Sequence, residues 1–187
     1  MTKARDLASG GFGLVLVKPS SVVGGTDNGK GTVSFSAAST VSLNDVFSST
    51  YTNYRIFISA TSSQGETDGR LRFRVGGADE TGVQYIYSVQ SLGANGTSYN
   101  SLSTGTTFIM SGRIGGNGLG QIVIDIANPF ATARTTTTSN VTADGTTTLF
   151  KENGAGLIVL TTSYTGFTIF PTGGTITGTV SVYGYNK

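Results

Sequence analysis

The chain has 187 residues, no cysteine, no histidine, and 12 Lys and Arg against 10 Asp and Glu. Without cysteine there is no disulfide or thiolate chemistry, and without histidine the commonest general base and transition-metal ligand is gone, so zinc sites and Ser-His-Asp or Cys-His catalysis are excluded. The near-neutral charge with dispersed cations leaves no nucleic-acid footprint, and 28 glycines with few charges point to one all-β domain full of tight turns.

The N-terminus MTKARDLASGGFG has no apolar h-region, and no run reaches the ~18 apolar residues of a membrane helix. Neither a signal peptide nor a membrane insertion is expected. Residues 1–20 read as an arm ahead of a head domain at 21–187. The arm is polar up to Gly11, then carries the apolar run Leu14-Val15-Leu16-Val17, which stops at Lys18-Pro19 and reads as a first strand or an anchor.

TDNGKG (26–31) is a turn ahead of a strand with Val33 and Phe35 on one face. Phe47, Tyr51 and Tyr54 recur at i, i+4 and i+7 after Asn44-Asp45, which predicts a single helical turn or short helix leading into a strand at 54–61. RLRFRV follows the loop SSQGETDG and alternates cleanly, Leu71, Phe73 and Val75 inward, Arg70, Arg72 and Arg74 outward. VQYIYSVQSL places Val83, Tyr85, Tyr87 and Val89 on one side, and residues 93–106 read as a long polar loop before a short strand at 108–110.

GGNGLGQIVID (115–125) has the glycines of a phosphate-cradling loop, but a strand follows where such a loop needs a helix, so it reads as a β connection. Ile122, Ile124 and Ile126 share a face, Asp125 alternates to the other with Gln121 and Val123, and Asn128-Pro129 is a turn. ARTTTTSNVTADG suits an edge strand or an extended surface segment. LIVLTTS (157–163) and GFTIF (166–170) are strands. In the closing GGTITGTVSVYGYNK, Ile176, Val180 and Val182 face a core while Thr, Ser, Tyr183 and Tyr185 take the other face. About nine to eleven short strands result, arguing for a sandwich, jelly roll or barrel. We expect a jelly-roll-like antiparallel β-sandwich.

Two acidic loops, Glu66 with Asp68 and Asp79 with Glu80, flank the arginine strand. They read as a calcium site or an acid/base pair, or as acids that neutralise nearby arginines. The arginine row and the terminal tyrosines are candidate contacts to another subunit or to glycan. Asn95-Gly96-Thr97 and Asn140-Val141-Thr142 match glycosylation sequons, which mean little without a secretory signal. No cofactor is expected.

The segments SLNDVFSSTYTNYRIFISA, RLRFRVGG, IDIANPFATARTTTTS and TVSVYGYNK, with the opening MTKARDLA, resemble bacteriophage virion proteins, tail-fibre-like structural proteins of marine and cyanobacterial phages. The resemblance implies a non-enzymatic, β-rich homotrimer that is assembled in the host cytoplasm and located in the virion. It also implies contact with other tail or capsid proteins, through an attachment arm with Lys3, Arg5, Asp6, Leu7, Phe12, Leu14 and Leu16. Two roles follow from it, a short tail fibre or receptor-binding module that touches host cell-surface glycan, or a capsid decoration protein that clamps the lattice.

Overall fold

The computed structural model describes residues 13–116, 118–145 and 148–186. Lys3, Arg5, Asp6, Leu7 and Phe12 lie outside them. The strands are β1 (Leu14–Val17), β2 (Ser21–Val23), β3 (Thr26–Asp27), β4 (Thr32–Ala38), β5 (Val41–Asn44), β6 (Asn53–Ser62), β7 (Thr67–Val75) and β8 (Ala78–Asp79), followed by β9 (Tyr85–Gly93), β10 (Ser98–Thr106), β11 (Ile109–Ile114), β12 (Gly120–Ala127), β13 (Thr135–Asp144), β14 (Leu149–Ile158), β15 (Gly166–Pro171) and β16 (Ile176–Tyr185). Eleven of these run six residues or more, matching the spacing of turn signals, and five pieces of two to four residues bring the described total to sixteen.

All the pairings between strands are antiparallel and form two sheets. The larger has ten strands in the order β10-β9-β14-β13-β12-β6-β16-β4-β3 with β1 also on β16, and the smaller has six in the order β11-β7-β15-β5-β2 with β8 on β7. Within them, β4-β16-β6-β12 stands against β5-β15-β7-β11, and the chain changes sheet at every step from β4 to β7 and again at β11 to β12 and at β14 to β15 to β16. That is a jelly roll, two Greek keys folded face to face. Two insertions widen it on one side, β9 and β10 after β7 and β13 and β14 after β12.

Alternation explains the layers. Tyr54, Ile56, Ile58, Ile122, Ile124, Ile126, Val180 and Val182 leave the large sheet inward, and Leu43, Leu71, Phe73, Phe167 and Ile169 leave the small one, all buried. A fully buried side chain of this size contributes about 1.5–3 kcal/mol. The Phe47 ring meets Tyr54 edge-on at 4.9 Å and stacks on Phe167 at 5.9 Å, while Phe73 stacks on Tyr164 at 5.1 Å. Between β11 and β8 the Phe73 carbonyl of β7 accepts from Glu80 N at 2.8 Å, and Tyr85 takes up the Phe73 N–H: its hydroxyl accepts from Phe73 N at 3.0 Å and donates to Glu80 O at 3.0 Å. Burial raises the Tyr85 pKa well above the ordinary phenol value, so this sheet-to-sheet bridge stays protonated.

Four segments differ from the sequence reading, and Val75, expected inward, is 41% exposed at the end of β7. The described residues hold no helix, and 45–52 is a loop: Phe47 N bonds Thr165 O, and Tyr54 Oη both accepts from Ser48 N and donates to Ser48 O, so the helically spaced aromatics serve a sheet-to-sheet crossing. Ser, Thr and Asn in that stretch compete for backbone bonds and disfavour a helix. The expected loop at 93–106 contains the edge strand β10, whose alternation is faint because both its faces are largely uncovered. ARTTTTSNVTADG is not an edge: β13 lies between β12 and β14. Its neighbour β14 begins at Leu149, runs through KENGAG (151–156), whose glycines hid it, and ends at Ile158, so the strand expected at 157–163 is mostly loop. The Leu14–Val17 run is a strand, β1, paired to Tyr185–Val182 of β16.

The insertions are covered on the inside by β11, which makes a register shift at Gly112. Gly112 has φ +120°, and a Cβ there would stand 2.2 Å from Val141 Cγ2. Gly112→Ala is therefore expected to cost about 2–4 kcal/mol from backbone strain and overpacking. Urea unfolding should show an earlier midpoint at unchanged slope; a wild-type midpoint would mean that β11 stands farther from β13.

Candidate functional site

Cross-strand register brings the polar side chains of the large sheet's outer face into rows. One row reads Tyr183, Arg55, Asp125, Thr138, Ala155, Ser88 and Leu102 across seven strands. At its centre Arg55 Nε and Nη2 donate to Asp125 Oδ1 and Oδ2, each at 2.7 Å, a bidentate pair. The Tyr185 hydroxyl also donates to Asp125 Oδ1, and Arg55 lies 5.5 Å over the Tyr185 ring. Asp125 thus leaves the isoleucine face and finds its partners outside, as its alternation predicts.

The bonds from Arg55, followed by that from Tyr185, outweigh partial burial and hold the Asp125 carboxyl below its ordinary pKa. In return the bonds to Asp125 raise the Arg55 guanidinium. Burial, then the negative Asp125, pushes the Tyr185 phenol up to about 12. At neutral pH all three hold one fixed protonation state, so the group positions side chains and offers no proton for transfer.

Beside it is an open groove of about 600 Å³. Phe57, 39% exposed, walls one side with Tyr183 edge-on to it at 5.6 Å. Val123 and Thr138 are the short floor, and Asn140 and Asn153 form the far wall. A smaller groove of about 220 Å³ continues past Asp125 toward Tyr185 and Thr136.

The arginine strand is less free than its sequence implies. Arg74 pairs with Asp79 and also donates to Asn44 Oδ1, Ser42 Oγ and Thr168 Oγ1. Arg70 lies 4.1 Å over Phe108, and Arg72 lies 4.5 Å over Phe170 while its Nε donates to Thr107 O. The row is packed onto the small sheet rather than standing in solvent. The acidic loops do neutralise arginines, Asp79 taking Arg74 and Glu66 taking Arg113 at 3.2 Å, and among the described residues no group of three or more acids gathers as a metal site.

Sequence reading missed Glu152 and Arg113. Glu152 faces inward at 3% exposure; its Oε2 accepts from Arg113 N at 2.7 Å and its Oε1 stands 3.3 Å from Arg113 Nε. Arg113 also lies 4.0 Å over the Phe150 ring. The signal was an acid at an inward position of an alternating strand, concealed because the glycines of β14 blurred that alternation. No protein-family model and no curated protein matches this chain.

Two predictions follow from these charges. Asp125 is depressed, so its stabilisation is present above the unfolded-state pKa and lost as pH falls through the lower folded-state value. The stability gap between wild type and Asp125→Asn, on the order of 1 kcal/mol for a partly screened pair, should shrink in urea titrations as pH falls below the ordinary carboxylate range of about 4. A gap independent of pH would show that the carboxylate charge contributes nothing. Arg113→Met leaves a buried carboxylate unpaired and should cost about 3–5 kcal/mol, with Arg113→Met/Glu152→Leu recovering much of it in the same assay.

Proposed function

We propose that this chain is a non-enzymatic bacteriophage virion protein. In this reading it is a trimeric short tail fibre or receptor-binding module, docked through its N-terminal segment and displaying the jelly-roll head to the host surface. The observation that carries the reading is the engagement of five of the nine acids among the described residues. Asp27 bonds Gly29 N and Gly31 N in a turn, Glu66 and Glu152 are held by Arg113, Asp79 by Arg74 and Asp125 by Arg55. Carboxylates so engaged supply neither a general base nor a metal cage. What remains for function is surface, and the widest is the hydroxyl- and amide-rich outer face of the ten-stranded sheet. The resemblance of the strand segments to phage fibre proteins gives that surface its setting.

The capsid decoration reading has one observation in its favour. Leu14, Val15 and Leu16 of β1 are 38–40% exposed on a sheet edge, a strip suited to lying along a neighbour. Copy number separates the two: quantitative mass spectrometry of purified particles should give a few to a few dozen copies for a tail part, and hundreds would assign the chain to the capsid. Deleting residues 1–12 should leave a folded head, because β1 begins beyond the cut, that no longer joins particles. Incorporation of the truncated chain at the wild-type level would refute the arm assignment.

A further inference from the structure

The second row on the outer face of the large sheet ends in four carboxamides. Starting from Phe57, register runs to Val123, then Asn140, Asn153, Gln90 and Asn100. Four consecutive strands, β13, β14, β9 and β10, therefore each contribute one amide side chain to the same rung. All four are exposed. With neighbouring strands about 4.8 Å apart, the ladder extends roughly 14 Å from Asn140 to Asn100.

The ladder is partly ordered and partly open. Asn140 Nδ2 donates to Asn153 Oδ1 at 3.2 Å, and Lys151 Nζ donates to Asn140 Oδ1. Gln90 and Asn100 make no side-chain hydrogen bond among the described residues. Each carboxamide offers two donors and an acceptor oxygen with two lone pairs, so most of the ladder's hydrogen-bonding capacity faces outward.

We propose that this ladder, with Phe57 at its head and the adjoining groove, is a binding face for an uncharged polysaccharide chain. A sugar ring carries hydroxyls that both donate and accept, arranged around apolar C–H faces. Planar amides repeated at the strand spacing match adjacent hydroxyls, and Phe57 together with Leu92 and Leu102, on the same face one step to either side of the Gln90–Asn100 pair, supplies apolar contact. Charge selects the class of ligand: the Arg55 guanidinium is closed by Asp125, and among the described residues Lys151 is the one cation that hydrogen-bonds to the row. A polyanion would find too few cations here. A second copy of the chain would bury four amides against themselves, where the core of a homodimer interface is apolar. The inference deepens the host-attachment reading and rests on it for its biological setting.

The test uses the full chain on an array of uncharged polysaccharides, including glucans, mannans, galactans and xylans, with sulfated and carboxylated polymers as controls. Binding to at least one uncharged polymer, unchanged at about 0.5 M salt, is expected. Asn153→Ala and Gln90→Ala should each weaken it about 3–10-fold, and Phe57→Ala by about 10-fold. Asn186→Ala, off the row, should leave it unchanged. Retention by no uncharged polymer overturns the inference, as does binding confined to polyanions and lost in salt, or binding indifferent to the ladder substitutions. Self-association abolished by those substitutions would reassign the face to a contact between copies. The two readings fail separately: a chain absent from particles that still binds an uncharged polymer ends the virion proposal alone, and a particle protein that binds none ends this one.

Discussion

The register of β6 between β12 and β16 is the constraint on which the rest depends. With Ile56 opposite Ile124 and Val182, the apolar residues of three central strands point into one core, and Arg55 comes to lie between Asp125 and Tyr183 on the other side. A slip of β6 by one residue would carry Arg55 into the core and Tyr54, Ile56 and Ile58 into water. Burial and the outer salt bridge therefore specify the same pairing. Burial contributes nearly all the free energy, since a half-screened ion pair is worth about 1 kcal/mol against several for the buried side chains.

Charge in this protein follows depth. Arg113 and Glu152 sit where β11 closes on the inserted strands, and the pair is tolerable because the carboxylate accepts a backbone N–H as well as facing the guanidinium. Arg70 and Arg72 have no carboxylate within ion-pair distance among the described residues, and aromatic rings take that place. Arginine and aromatic side chains together therefore form the outer skin of the small sheet.

The sandwich, the strand at 54–61, the arginine strand and the isoleucine strand were legible because in each of them period-two alternation is undiluted. Legibility fails where glycine replaces an inward side chain. Gly154 and Gly156 in β14 make room for Ser139, Thr137 and Ile109, so the approach of β11 that shapes the inserted half also erases the hydrophobic pattern that would reveal it. The aromatics at 47, 51 and 54 misled for the opposite reason. Three rings at helical spacing pack equally well from a loop whose backbone is tied to Thr165 and to the Tyr54 hydroxyl.

The outer face was visible as a face but not as rows. Alternation tells which side of a strand Asn140 or Gln90 takes; only pairing tells that residues 90, 100, 140 and 153 share a rung. Two of those strands, β10 and β14, were hidden, so the row could not be assembled from residues alone. The terminal tyrosines illustrate the same limit. Tyr183 and Tyr185 are on one side of the last strand, yet one ring supports Phe57 and the other fixes Asp125. Their hydroxyls and rings are therefore spent largely on shaping the groove's rim. The free hydrogen-bonding capacity lies farther across the sheet, on side chains that no local pattern distinguishes from an ordinary solvated surface.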